Sequence, residues 1–483
     1  MRTEPKLRWA ELYREADLYK AAVHLYTKVL FQWRKALSTS LDEKTLYDFA
    51  RHGMRNLEGL HRELAAGRFT FQPGVARVYN FNGKIRTLYL YPWKERLADL
   101  LLYRLLSRRL DRSFSSRSFA YRYRGYGVDL CQARIAAAIS RMPRPFFVVK
   151  RDIADYFGSI DHGILLRQLE DRVEFSDPLG RMLMERVRFR YEQDGLLREA
   201  QRGIPFGTSI ACFFANLYLA GQDSEMEKIP GTVYFRYADD LLVFAEDPQT
   251  ALRAAGCCDR HLADLRLVPK PSQSRHYVVS EEPVQHPFFT HTDRFKHLGL
   301  QFRADGLTGL SRDKARKICN LFRYAFRRKA GRFRKFVSPE RRAALAVEIA
   351  GQVLTGTVRH VAIIDYYLRH VRDEAQLRLL DRWLAEEVLS LAFRNGHRKG
   401  NFRRLSYARL REMGLPSLLH RSRMIRHGQI QSSFFQWKRY TQMGQGQGGW
   451  RQARRAFSPN LEAAAEPILV RERGGLSIGG TEA

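Results

Sequence analysis

Tyr237-Ala238-Asp239-Asp240 stands between the apolar runs Val233-Tyr-Phe-Arg-Tyr237 and Leu241-Leu-Val-Phe-Ala245. Two segments rich in branched and aromatic residues around a short polar break read as a β-hairpin, and Asp is a good turn former. Adjacent acids in such a turn have two readings. One is ordinary turn chemistry, the default for so short a motif; the other is part of a charged site. The rest of the chain has to decide between them.

Composition narrows the field. A chain of 483 residues, 45% hydrophobic and 12% aromatic, is long enough for more than one domain and has the apolar content of a folded protein. Its net charge of +32 points to a polyanionic partner, most often nucleic acid. A membrane surface is the competing polyanion. Against it, no run reaches the ~18 apolar residues of a spanning helix, and Met1-Arg-Thr-Glu-Pro-Lys6 lacks the apolar core of a signal peptide. A cytoplasmic protein without a membrane partner is expected. Cys131, Cys212, Cys257, Cys258 and Cys319 are odd in number and show no C-x-x-C spacing, which argues against a disulfide framework and a structural zinc site.

The first ~70 residues read as helical, with Leu12, Ala16, Tyr19, Ala22 and Leu25 spaced to line one face. After a break at Gly67-Arg-Phe-Thr-Phe-Gln-Pro-Gly74, two short strands are expected around Asn82-Gly83, a strong hairpin dipeptide. A helix from about Trp93 to Leu110 follows. Phe146-Phe-Val-Val-Lys-Arg-Asp152 reads as a buried strand ending in an acid, then come a helical stretch after His162, the loop Arg202-Gly-Ile-Pro-Phe-Gly207 and an apolar helix from about Ser209 to Ala220. From about Ser311 the chain becomes helical and more basic. Arg316, Lys317, Arg323, Arg327, Arg328 and Lys329 are interleaved there with Phe322, Tyr324 and Phe326, so such a helix could neutralise phosphates while its aromatics pack beneath or stack on bases. Leu377, Leu380, Leu384, Val388 and Leu391 form a plain packing stripe. The Gly/Gln-rich segment after Tyr440 reads as a flexible tail.

Asp152 changes the reading of the hairpin. If its strand pairs with the hairpin, three carboxylates converge, and so much negative charge calls for hard cations with oxygen ligands, Mg²⁺ above all. Two such ions about 4 Å apart would clamp the attacking and leaving oxygens of an in-line phosphoryl displacement. The alternative for Asp152 is a strand-end ion pair with Arg151.

Four blocks in order, Asp152-Ile-Ala-Asp-Tyr-Phe157, Gly203-Ile-Pro-Phe-Gly-Thr-Ser209 continuing to Ala215-Asn-Leu-Tyr-Leu219, Tyr237-Ala-Asp-Asp240 and Phe295-Lys-His-Leu-Gly-Leu-Gln-Phe302, resemble the palm blocks of reverse transcriptases. The resemblance covers roughly residues 60 to 310 and is to the bacterial kind related to group II introns and retrons. It implies an α+β, right-hand polymerase with fingers, palm and thumb: a helical N-terminal segment over 1–75, fingers and palm over 76–310, a basic helical thumb and C-terminal extension over 311–440, and a tail over 441–483. By the same resemblance, Asp152, Asp239 and Asp240 are the metal-binding catalytic carboxylates, holding two Mg²⁺ ions for which Mn²⁺ can substitute. Phe157 resembles the aromatic that blocks a ribose 2′-hydroxyl. Lys84 and Arg86 resemble the basic residues that hold the incoming triphosphate, where fixed cations stabilise charge on the leaving pyrophosphate. Gly207 closes a loop whose glycines allow close backbone approach to nucleotide or template. Leu298-Gly299 resembles the primer-grip turn, and the basic helix the nucleic-acid-binding thumb.

Two positions depart from the family pattern. Phe206 stands where the family commonly has Gln, and Lys270, which resembles a lysine acting as general acid toward pyrophosphate, is one residue off the usual spacing. The partners implied are an RNA template, a DNA product and deoxynucleotides. Neither an RNase H-like acidic set nor a C-x-x-C nuclease is visible. Leu354-Thr-Gly356 only half resembles the retron thumb motif, whereas Gly414-Leu-Pro-Ser-Leu-Leu419 and the long helical C-terminus look similar to reverse transcriptases of antiphage defence, which copy a noncoding RNA. A group II intron maturase and a non-catalytic RNA-binding scaffold are the other readings.

Overall fold

The computed structural model describes residues 5–28, 40–81, 84–123, 125–358 and 362–431, with the backbone alone for Phe81 and Lys84. Helices and sheets are mixed along the chain, the α+β class that the sequence predicts. Among the described residues no helix is long and apolar enough to cross a membrane. None of the five cysteines forms a disulfide. The chain divides into two compact units, one within Met1–Gly127 and Val149–Arg275, the other within Val128–Val148 and His276–Tyr440.

The first unit begins with helices Trp9–Leu12, Glu15–Lys28, Leu46–Arg51 and Gly53–Ala65. The single apolar face expected from Leu12 to Leu25 is broken, because Tyr13 leaves the helix in an extended conformation. Tertiary contacts fix that break: the Trp9 indole donates to Leu64 O at 2.7 Å and Trp9 stacks on Tyr13 at 4.7 Å. Within the second helix the expected Tyr19 and Ala22 are buried and joined by Leu18 and Ala21, while Ala16 and Leu25 are only half-buried.

Strands β1 (Gly74–Phe81) and β2 (Lys84–Leu90) pair antiparallel from Val75 opposite Leu90 to Phe81 opposite Lys84. The Asn82-Gly83 dipeptide between them lies outside the described residues, as does the expected tail over 441–483. Helix Trp93–Leu110 forms where expected and packs against helix Ser209–Tyr218. Strand β3 (Phe146–Asp152) is apolar and buried until its last residues, as a run of six apolar or long side chains ending in an acid requires. Strands β4 (Arg190–Gln193) and β5 (Leu196–Glu199) form a hairpin closed by Asp194 and Gly195, at φ 54° and 76°. This is the turn that Asp-Gly favours, and the sheet order is β2-β1-β4-β5. Strands β6 (Thr232–Tyr237) and β7 (Asp240–Ala245) form the expected hairpin, with β3 beside β7.

In the second unit, β8 (Arg275–Val279) runs parallel to β9 (Thr290–Thr292), while β10 (Arg294–His297), β11 (Leu300–Arg303) and β12 (Thr308–Leu310) make an antiparallel meander. Helices Arg312–Arg328, Ala330–Arg334, Pro339–Thr355, Ile363–Leu368 and Glu374–Phe393 follow, with shorter ones to Arg426. Leu377, Leu380, Leu384 and Val388 are buried as the packing stripe predicts, whereas Leu391 is only half-buried and Leu389 takes its place in the core. Gly356 sits at φ 82° and caps helix Pro339–Thr355, so Leu354-Thr-Gly356 has a sufficient role in ending a helix. Gly414-Leu-Pro-Ser-Leu-Leu419 likewise serves packing. Leu418 N and Ser417 Oγ each donate to the buried Asp381 carboxylate at 2.6 Å, pinning the segment to helix Glu374–Phe393.

Candidate active site

The β6–β7 hairpin turns through Ala238 and Asp239, with Tyr237 paired to Asp240. Ala238 holds φ 57°, a conformation that suits glycine and costs an alanine about 1 kcal/mol or more. What holds it there lies beneath the turn. Arg236 and Asp223 are both fully buried, and they meet through two hydrogen bonds of 2.6 Å, from Nε to Oδ1 and from Nη2 to Oδ2. The rest of the guanidinium is spent on the turn and its support: Nη1 donates to Ala238 O at 3.1 Å and Nη2 to Asn216 Oδ1 at 2.9 Å. Tyr234 donates to Asp223 at 2.8 Å and Ser118 to Asn216 at 2.9 Å. Burial alone would lower the Arg236 pKa, but the Asp223 carboxylate outweighs it and keeps the side chain charged. A buried pair so fully hydrogen-bonded is costly to break, which makes it a rigid seat for the turn.

Asp239 feels the charge of both other expected acids. Asp239 has its pKa raised, first by burial and then by the negative charges of Asp152 and Asp240, with Arg86 opposing. Asp240 is also raised by burial, but Lys150 opposes it from 3.3 Å. Lys150 and Asp152 are two residues apart on β3 and so share a face of the strand. Among the described residues no three His, Cys, Asp or Glu side chains stand close enough to form a ready-made metal cage. Asp152 and Asp239 thus offer the oxygen ligands a hard divalent ion wants, with the negative charge of Asp152 acting on the buried Asp239, while Asp240 is engaged by Lys150. The chain segment 268–270 pairs against 152–154, with Lys270 N donating to Asp152 O at 2.6 Å and Ala154 N to Val268 O at 2.9 Å. With the Gln273 amide turned so that its nitrogen faces the carboxylate, Gln273 donates to Asp152 Oδ2 at 2.9 Å and accepts from Lys270 Nζ at 3.1 Å. The off-pattern spacing of Lys270 therefore does not remove it from the neighbourhood of Asp152.

Five residues beyond Asp152, the half-buried Phe157 ring meets three aromatic neighbours near perpendicular: Phe206 at 5.3 Å, Tyr156 at 5.9 Å and Tyr121 at 6.2 Å. The glycine loop is clipped to this segment, since Ile204 N donates to Phe157 O at 2.9 Å and Gly203 N to Ile160 O at 2.7 Å. Gly203, at φ 81°, has room for no Cβ without pressing on Gly158 and Phe157 O at 3.1 Å. Gly207, at φ 104°, is exposed and lies against Leu88 of β2. Arg86, exposed on β2, places its guanidinium over the Phe206 ring at 5.2 Å. The Lys84 side chain lies outside the described residues.

The region from β1 through β11 matches a family model described as reverse transcriptase (RNA-dependent DNA polymerase), over residues 80–302. These residues resemble a reverse transcriptase domain. All three aspartates, Phe157, the glycine loop and Lys270 fall inside it. A solved structure of apo telomerase from Candida tropicalis, truncated from its C-terminal domain, aligns at 9% identity with a TM-score of 0.39, covering 54% of this chain and 60% of that one. The chain thus spans less than two thirds of that telomerase structure. No curated protein matches the chain.

The Leu298-Gly299 turn, expected as the primer grip, also lies within the matched residues. Leu298 and Gly299 join β10 to β11 at φ 46° and 82°, a two-residue hairpin of the primed type. Gln132 donates to Leu298 O at 2.7 Å and Ser311 N to Gly299 O at 3.2 Å, fixing the strained leucine. In the helix Arg312–Arg328 that follows the domain, Arg316, Lys317, Arg323, Arg327 and Arg328 are exposed, as is its cap Lys329. Phe322 and Phe326 are buried, so they pack beneath the cations, and only Tyr324 presents a partly open ring. Arg236, Asp223, Asn216, Lys150 and Gln273 were not among the expected site residues. Arg236 and Asn216 carried a signal: each is a polar residue inside an apolar run, and a buried polar residue needs partners.

Proposed function

We propose that the chain is an RNA-directed DNA polymerase that adds deoxynucleotides to a primer by nucleotidyl transfer. The observation that carries this reading is the buried Asp239 carboxyl, raised in pKa by burial and by the charges of Asp152 and Asp240, within the residues that match the reverse transcriptase family. Asp152, Asp239 and Asp240 would hold a catalytic Mg²⁺ or Mn²⁺, Asp240 being the one paired with Lys150, and the metal would supply charge neutralisation at the attacking and leaving oxygens. Arg86 and Lys84 bind the triphosphate, Phe157 lies against the sugar, and Gly207 lets the backbone approach the nucleotide. Lys270, steered by Gln273, delivers a proton toward the leaving pyrophosphate. Leu298-Gly299 positions the primer, and the exposed cations from Arg316 to Lys329 neutralise phosphates of the RNA template and DNA product.

Primer extension on an RNA template with deoxynucleotides tests this. Incorporation that stops on chelation of the divalent ion and returns with Mg²⁺ or Mn²⁺ is the expected result. Absence of incorporation with RNA, DNA and unprimed templates alike would overturn it. The four ordered blocks and the helical extension after them support a bacterial enzyme of the group II intron and retron-like lineage, copying a noncoding RNA in antiphage defence. Sequencing the nucleic acids that co-purify with it from its host checks that task, and a spliceable intron RNA among them would make it a maturase instead.

A further inference from the structure

We infer that Phe206 determines the sugar selectivity of the nucleotide site by holding the Phe157 ring in place, an inference that rests on the polymerase reading above. Of the three rings around Phe157, Phe206 stands nearest, at 5.3 Å and 88°. An edge-to-face contact of this kind is directional, so it restrains the orientation of the half-exposed Phe157 ring as well as its position. The restraint is transmitted by backbone. Ile204 N donates to Phe157 O at 2.9 Å, and Gly203 fits against Gly158 and Phe157 only because it lacks a side chain. The loop bearing Phe206 and the segment bearing Phe157 are therefore held together through backbone.

The other side of Phe206 faces the phosphate end of the site. Arg86 lies over its ring at 5.2 Å, and Tyr89 N of the same strand donates to Phe206 O at 3.1 Å. One aromatic side chain thus contacts both the residue that meets the sugar and the strand that meets the triphosphate. A glutamine at this position would offer hydrogen bonds but neither a flat wall for Phe157 nor a face for a guanidinium. Without that wall Phe157 gains room to swing aside, and a 2′-hydroxyl gains entry.

Single-nucleotide incorporation by the full chain, with dGTP and with GTP opposite a template C, reads the effect as the ratio of the two kcat/KM values. Phe206→Ala lowers the preference for the deoxynucleotide about tenfold. Phe206→Tyr keeps it, and Phe206→Leu, which fills the space without a flat ring, loses it as the alanine variant does. Because Phe206 acts through Phe157, the double variant Phe157→Ala/Phe206→Ala matches Phe157→Ala alone. An unchanged ratio in Phe206→Leu, or additive losses in the double variant, would overturn the inference. Wild-type chain that incorporates neither nucleotide would overturn the polymerase reading itself, and this inference with it.

Discussion

Arg236 supports the site from beneath without facing it. Its guanidinium spends every described bond on Asp223, Asn216 and the carbonyl of Ala238, so removing it leaves the Asp223 carboxyl buried without its counter-ion. Arg236→Met is expected to cost about 3 to 5 kcal/mol of stability, read as a fall in the denaturant midpoint. Arg236→Lys, which keeps the charge but not the fork, is expected to recover only part of it. The positions of the aspartates and Phe157 could be proposed from the sequence because the motif sets their types at fixed offsets. The Arg236 partnership could not, because Asp223 belongs to the preceding helix and its pairing exists only once strand β6 packs on it. Lys150 was equally hidden: alternation puts it on the face of Asp152, but the 3.3 Å contact with Asp240 depends on β3 lying beside β7.

The loop over 202–207 is the element on which the site's geometry turns. Gly203→Ala asks a side chain to adopt φ 81° against backbone atoms at 3.1 Å that cannot step aside, and is expected to cost about 1 to 3 kcal/mol, again by denaturant midpoint. The same loop carries a pH dependence. His162 is buried with Nε2 2.6 Å from Gly203 O, and burial holds its pKa below the ordinary 6.5. The unfolded chain therefore binds the extra proton first, so the stability His162 contributes is present above 6.5 and is lost as pH falls toward the folded value. His162→Asn is expected to flatten that part of the stability profile. Strands with long apolar runs, β3, β6 and β7, were readable because burial leaves a continuous pattern. The β4–β5 hairpin was not read from the sequence: Asp194-Gly195 suits its turn, but its four-residue strands are too short to show alternation. The break at Tyr13 was invisible, since contacts with Leu64 and His61 decide it, from residues about fifty positions away.

At the scale of the whole molecule the +32 net charge is the dominant property, and composition alone gave it. Nucleic-acid affinity is expected to fall steeply with salt. Replacing Arg316, Lys317, Arg327 and Arg328 by Gln is expected to shallow the log-log slope by about 0.7 per lost contact on single strands. A slope unchanged from wild type would place the phosphate contacts elsewhere. With Phe322 and Phe326 buried, only Tyr324 of the aromatics on that helix is exposed, so its proposed contacts with nucleic acid are expected to be chiefly electrostatic. Above all of this stands the claim that Asp152 and Asp239 form one catalytic pair. Primer extension by Asp152→Asn and Asp239→Asn, run beside RNA-binding titrations of the same proteins, tests it most directly. Incorporation is expected to vanish in both while RNA affinity holds or rises; incorporation retained in either, at the wild-type rate and with intact binding, would contradict the assignment.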